Sequence, residues 1–192
     1  MKKSKTQQKK THRSLLHAAA QLMGEQGFYA VSMTQIAQAA GVGSATIYKY
    51  FASKEALVSG FFELSVHEAL EAVQANSELA QFTLAERLQW LLDTLLQHLQ
   101  PHRAFVQMAH DLLHRSPLLL GASWPAQAAL QQQVEAWLQE AEAAGEIPSC
   151  HFKPFLGTLF ADYTWAVVTY WLQDQSAEQT QTTQLLDLSL DV

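Results

Sequence analysis

The chain has a single cysteine, Cys150, among its 192 residues. One thiol excludes a disulfide within the chain and fits a reducing cytoplasm. Glycine and proline are scarce, at eight and five, and no convincing run of alternating apolar and polar residues occurs. These shortages exclude turn-rich sheet folds, and the abundance of Ala, Leu, Gln and Glu points to an all-α protein. No apolar run approaches the roughly 18 residues that a membrane-spanning helix needs. Catalytic groupings are also missing. No nucleophile, base and orienting group stand together, and no glycine loop could cradle a phosphate, so the sequence implies neither an enzyme nor a cofactor.

Acidic residues are absent before Glu25, and the formal net charge of −6 conceals this asymmetry. Residues 1 to 55 hold eight Lys or Arg against two Glu, while the remainder holds four basic and sixteen acidic residues. For nucleic-acid binding the charge of the contacting face decides, and the N-terminal face is basic. Residues 1 to 10, MKKSKTQQKK, read as a flexible basic tail, either solvated or touching phosphates as basic arms do. Without an apolar core after the lysines the stretch is not a secretory signal, and the segment that follows uses it too directly for a transit peptide. A hydrophobic content of 48% supplies one sizeable core, or one core with a small appended domain.

The first helix is expected over residues 11 to 26, where Leu15, Ala18, Ala19, Leu22 and Met23 recur at helical spacing before Gly27. The most informative stretch is residues 32 to 55, SMTQIAQAAGVGSATIYKYFASKE. Ser32 and Gln35 stand three apart as a capping box. Ile36, Ala37 and Ala40 then share one face, and Gly41 sits where a helix ends in the left-handed region. A second short helix begins after Gly43 or Ser44. Ile47 and Phe51 form its buried face, leaving Thr46, Tyr48, Lys49 and Tyr50 outward. Two short helices about a tight glycine turn make a helix-turn-helix, whose outward Lys and Tyr suit phosphates and whose Thr and rings suit base edges. An ordinary helical hairpin with a solvated face fits the spacing alone. Ser53-Lys54-Glu55 argues against that, because Lys54 lies in the first turn of the next helix, where the dipole disfavours a cation unless an anion is bound there.

Ile36-Ala37-x-x-Ala40-Gly41-Val42, Thr46-Ile47-Tyr48-Lys49-Tyr50-Phe51 and Ser53-Lys54-Glu55-x-Leu57 together resemble the DNA-binding signature of the TetR family of bacterial transcriptional regulators. The family usually has Ser at the position of Gly43 and often Gly at that of Ala45. The start of the second helix is therefore open between Gly43 and Ser44. The resemblance implies a three-helix DNA-binding domain over residues 11 to 55 and a larger helical domain over 56 to 192 for ligand binding and dimerisation, about nine helices in all. It implies DNA contacts from Thr34, Ser44, Ala45, Thr46, Tyr48, Lys49 and Tyr50, with Lys54 gripping the backbone. A cytoplasmic homodimeric repressor, released from a palindromic operator in double-stranded DNA by a small-molecule inducer, is the implied function.

The fourth helix is expected over residues 53 to 75, bridging the two domains. Beyond it, Thr83 with Glu86 makes a second capping box and opens a leucine-striped helix that stops before Pro101. A sixth helix follows over residues 101 to 115, closed by Ser116-Pro117, then a seventh over 124 to 144. Residues 154 to 172 are apolar on more than one side, and Ser176 with Gln179 forms a third capping box before a ninth helix. Helices eight and nine are the expected dimer interface. Trp90, Phe105, Met108, Trp124, Trp137, Phe160 and Tyr163 are candidate walls of a pocket for an apolar or amphipathic ligand, although such residues at helical spacing also serve as plain core. His110 with His114, and His98 with His102, have zinc-compatible spacing, but hydrogen-bonded histidines are the expected reading and no metal is implied. An alternative is a lipid or small-molecule binding protein of the same fold that does not read DNA. Residues 165 to 176, WAVVTYWLQDQS, faintly resemble part of a ubiquinone-biosynthesis lipid-binding protein. Retention of Tyr48, Lys49, Tyr50 and Lys54 favours DNA.

Overall fold

A computed structural model describes residues 5–115 and 126–190. Trp124 and the Ser116-Pro117 stop lie outside the described residues, as does the side chain of His114. Among the described residues there are nine α-helices, three short 3-10 turns and no strand. The helices are α1 (Lys5–Gln26), α2 (Met33–Ala39), α3 (Ser44–Ile47), α4 (Lys54–Gln74), α5 (Leu84–Leu99), α6 (Arg103–Arg115), α7 (Gln127–Ala143), α8 (Lys153–Gln173) and α9 (Thr180–Leu190).

The first helix starts earlier than the sequence suggests. Residues 5 to 10 are helical, not a flexible tail. Lys and Gln are good helix formers. Buried Thr11 also needs the preceding turn, because its hydroxyl donates to the Gln7 carbonyl at 2.9 Å.

Close contacts divide the chain into two compact units. The unit containing α1–α3 runs on to Leu64 and takes in Pro101–Pro125. It therefore holds α6 and the first part of α4, whereas the sequence reading ended this domain at residue 55. Leu15, Leu16, Ala19, Ala20 and Met23 bury one face of α1, and α6 lies against α1. Phe61 is the hub of this core, with ring centres 4.8 Å from Phe105 and 5.9 Å from Phe62. His102 packs edge-on to Phe61, 5.0 Å away, and 5.4 Å from His17. Burial, and then the neighbouring His17, hold the His102 imidazole below its ordinary pKa.

The second unit comprises Ser65–Gln100 and Ala126–Val192. Here α7 and α8 approach closely at Gly157, where an added Cβ would stand only 2.9 Å from the Gln131 carbonyl oxygen. The capping box of α5 forms as expected, with Thr83 N–H donating to Glu86 at 2.7 Å and Glu86 N–H to the Thr83 hydroxyl at 3.2 Å. The third box does not form. Ala177–Gln179 is a 3-10 turn in which Glu178 and Gln179 have φ of 53° and 56°. The Gln179 side chain instead accepts from the buried Trp171 indole at 2.9 Å and donates to Gln100 at 3.1 Å. Asp174 organises the junction by accepting the N–H and hydroxyl of both Ser176 and Thr182. These bonds, the Ser176 hydroxyl foremost and against the opposing effect of burial, hold the Asp174 carboxyl well below the usual carboxylate range.

Candidate DNA-binding site

Local rules set the geometry of residues 32 to 51. Ser32 caps α2 in a complete box, its N–H donating to Gln35 at 2.8 Å and its hydroxyl accepting from the Gln35 N–H at 3.3 Å. Met33, Ile36 and Ala37 are buried, and Thr34 faces outward. The helix ends in a Schellman turn. Val42 N–H donates to the Ala37 carbonyl and Gly41 N–H to that of Gln38, with Gly41 at φ +70°.

Gly43 is the cap of α3, which begins at Ser44, and Thr46 N–H donates to the Gly43 carbonyl at 2.8 Å. Although α3 is a single turn, Lys49 N–H bonds Thr46, and Tyr50 and Phe51 N–H both bond Ile47, so the coil continues to Phe51. Ile47 and Phe51 are buried, as the i, i+4 spacing predicts. Ser44, Ala45, Tyr48 and Lys49 are exposed, with Tyr48 58% accessible, while Thr46 and Tyr50 are half-buried. The outward set is thus one amine, phenol and hydroxyl groups, and a small alanine that permits close approach.

Lys54 has a structural partner that the sequence did not reveal. Its ammonium donates to the Phe28 carbonyl at 2.6 Å and the Val31 carbonyl at 2.9 Å, and lies 4.5 Å from the Phe28 ring centre. These contacts pin the α1–α2 connection to the start of α4 and by themselves explain a cation in that first turn. Ser53 caps α4 through the Ala56 N–H at 3.3 Å. Its hydroxyl is also the chief cause of the lowered Glu55 pKa.

His12 is the member that sequence reasoning missed. Its ring sits 4.8 Å from Phe51 and 6.3 Å from Tyr50, bracing the end of the recognition segment against α1. Burial pushes its pKa down, partly offset by Glu63. The signal was available, since His12 stands one turn ahead of Leu15 and Leu16 on the buried stripe.

The proposed pocket residues are dispersed. Phe105 and Met108 belong to the first unit; Phe105 borders a cavity of about 670 Å³ with His17 and His102, and Met108 a cleft of about 350 Å³ with Phe28 and Tyr29. Trp90, Trp137, Phe160 and Tyr163 belong to the second. Trp137 and Phe160 are buried core, Trp90 is 43% accessible beside Phe82, and Tyr163 hydrogen-bonds Ser189 on α9. Among the histidines, His98 Nδ1 lies 2.7 Å from the Thr94 carbonyl, and His110 is 3.6 Å from Asp111.

A capped helix, a Schellman turn and a second helix with an outward polar face constitute a helix-turn-helix of the DNA-binding transcriptional regulators. Residues 15–60 match the family described as bacterial regulatory proteins, tetR family, and residues 87–192 match the tetracyclin repressor-like C-terminal domain. The chain belongs to the TetR family. It is similar to the HTH-type transcriptional regulator YdeS of Bacillus subtilis, 33% identical over 78 residues that cover 41% of this chain and 39% of the relative. The chain thus spans about two fifths of the length of that curated relative. In fold it resembles the fatty acid degradation regulator FadR of Bacillus halodurans, at 20% identity and a TM-score of 0.69 over 99% of this chain and 97% of that one. It also resembles FadR of Bacillus subtilis in complex with stearoyl-CoA, at 20% identity and a TM-score of 0.65 over 92% and 96%. No helix among the described residues is long and apolar enough to cross a membrane.

Proposed function

We propose that this chain is a cytoplasmic, homodimeric repressor that holds a palindromic operator and leaves it when an apolar or amphipathic small molecule binds. The observation that carries the reading is the outward face of α3, mounted on buried Ile47 and Phe51. Lys49, Tyr48 and Tyr50 reach phosphates, while Ser44, Ala45 and Thr46 enter the major groove, joined by Thr34 from α2. The third N–H of Lys54, beyond the two that hold carbonyls, contacts the DNA backbone.

Dimerisation is supported by α8, whose Phe155, Leu159 and Tyr170 leave an apolar stripe accessible at 65%, 52% and 39%, and by Leu188 on α9 at 81%. Pairing of these faces about a two-fold axis presents two recognition helices about one DNA turn apart. The aromatic supply of the C-terminal region suits an amphipathic ligand, and one protein of this fold is solved with stearoyl-CoA. Ligand acts by population shift, favouring an α4 orientation that misplaces the two reading heads.

The test is footprinting and binding on DNA flanking the chain's own gene, against a scrambled duplex, at two salt concentrations. A protected palindrome and steep salt dependence are expected, with Lys49→Ala lowering the salt slope by about 1 per protomer without changing the preferred sequence. Equal, weak binding to both duplexes would overturn the regulator reading in favour of a lipid or small-molecule carrier, to be sought by lipid extraction.

A further inference from the structure

Three elements meet on the ring of Phe51. Its Cε1 lies against α4 at Gly60, where an added Cβ would stand 3.0 Å from that atom and 3.2 Å from the Leu16 side chain of α1. The missing side chain lets the end of the recognition segment close on both helices. His12 and Leu16 stand at i, i+4 on α1, and Gly60 and Glu63 at i, i+3 on α4, so each pair shares the face turned to this junction. The His12 ring completes it, 4.8 Å from Phe51 and 6.3 Å from half-buried Tyr50. Among the described residues no hydrogen bond or ion pair holds the imidazole. The ionisable groups that face it are Tyr50 from the recognition segment and exposed Glu63 from α4, with Lys9 one turn back on α1 itself. Burial disfavours the charged ring, and Glu63 favours it. The imidazole thus stands between two sets of partners that suit different protonation states.

We infer that His12 is a proton-operated positioning residue for the recognition segment: as the neutral ring it holds Phe51 and Tyr50 in place, and as the cation it turns to Glu63 and releases them. This rests on the reading of residues 44 to 51 as the segment that meets DNA. A neutral imidazole packs on aromatic rings as a flat, nearly apolar plate. An imidazolium carries a charge that a half-buried apolar junction solvates poorly and an exposed carboxylate can pair with. Without its neighbour, Tyr50 loses the fixed direction from which it reaches a phosphate. The exchange takes up one proton from solvent. Acid therefore weakens the operator complex through His12, against the general tendency of added positive charge to strengthen binding to a polyanion.

Operator affinity is measured at constant ionic strength from about pH 8 to about pH 5, across the ordinary imidazole value of about 6.5, for the full chain, His12→Phe and Glu63→Gln. The His12 and Tyr50 ring signals are followed by NMR in the free wild-type protein over the same range. His12→Phe keeps an aromatic plate that takes no proton. Relative to it, wild type loses about threefold in affinity per protomer toward the acid end, the worth of one ring contact. The Tyr50 signals move along the His12 titration curve, and Glu63→Gln shifts that curve to lower pH. Circular dichroism checks that both variants fold, and the wild-type titration needs neither of them. Identical pH profiles for wild type and His12→Phe, or a His12-dependent tightening in acid, overturn the inference and leave the regulator reading standing. If no duplex is preferred, the regulator reading fails and the NMR titration still decides. Tyr50 signals that ignore the His12 titration overturn the inference whether or not DNA binds.

Discussion

Lys54 shows how one side chain can carry two meanings. The sequence motif marks its position, but the two carbonyls it holds come from residues 23 and 26 positions earlier, a separation that local pattern does not reveal. Lys54→Met leaves two acceptors without their cation and should lower stability by about 2 kcal/mol, measured as a denaturant midpoint shift without DNA. Any loss of affinity must be corrected for that effect. Asp174 gives a pH-dependent case. Its carboxyl is depressed in the folded chain, so its contribution is complete above the unfolded value of about 4 and is lost as pH falls below it. Asp174→Asn should therefore be less stable than wild type at pH 7, with the gap beginning to narrow only below about pH 4 and still open at pH 3 in urea titrations. Spacing shows the inward place of His12 and the nearness of Ser176 to Asp174, but not the Phe51 and Tyr50 rings that His12 meets or the two bonds from Thr182, which the turn between α8 and α9 brings near.

Among the elements, legibility followed locality. Ser32 with Gln35 and Thr83 with Glu86 formed the boxes expected of them, since each pair needs only one another. Ser176 with Gln179 has the same spacing, yet Trp171 and Gln100 take the glutamine. The beginning of α1 escaped for a related reason: its lysines suggested a tail, while helix propensity and the Thr11 back-bond extend the helix to Lys5. Gly41 belongs with the legible features. An added Cβ there meets nothing within 4 Å, so Gly41→Ala tests the backbone alone. At φ +70° the cost is about 1–2 kcal/mol. We expect a lower thermal midpoint and weaker operator binding, because the turn sets the angle of α3.

For the whole molecule, periodicity told which face of each helix is buried but not against which neighbour. The amphipathic residues of α6 were readable, whereas its place beside α1 was not. Charge division was readable from the start, with basic residues gathered in the first 55. Leu159→Arg puts a cation in the middle of the exposed α8 stripe. Light scattering should then report a monomer, and operator affinity should fall at least tenfold as the two heads lose their linkage. The distribution of indoles has a further, optical consequence. No tryptophan precedes Trp90, so α1–α3 are silent in intrinsic fluorescence. Trp171 is sealed at 1% accessibility with its N–H committed to Gln179, whereas Trp90 is partly wet. The first should emit to the blue of the second. A change in tryptophan emission on adding operator therefore cannot arise within α1–α3, and assigning it to Trp171 or to Trp90 requires replacing each indole by Phe in turn, because buried Trp137 and half-buried Trp165 also contribute.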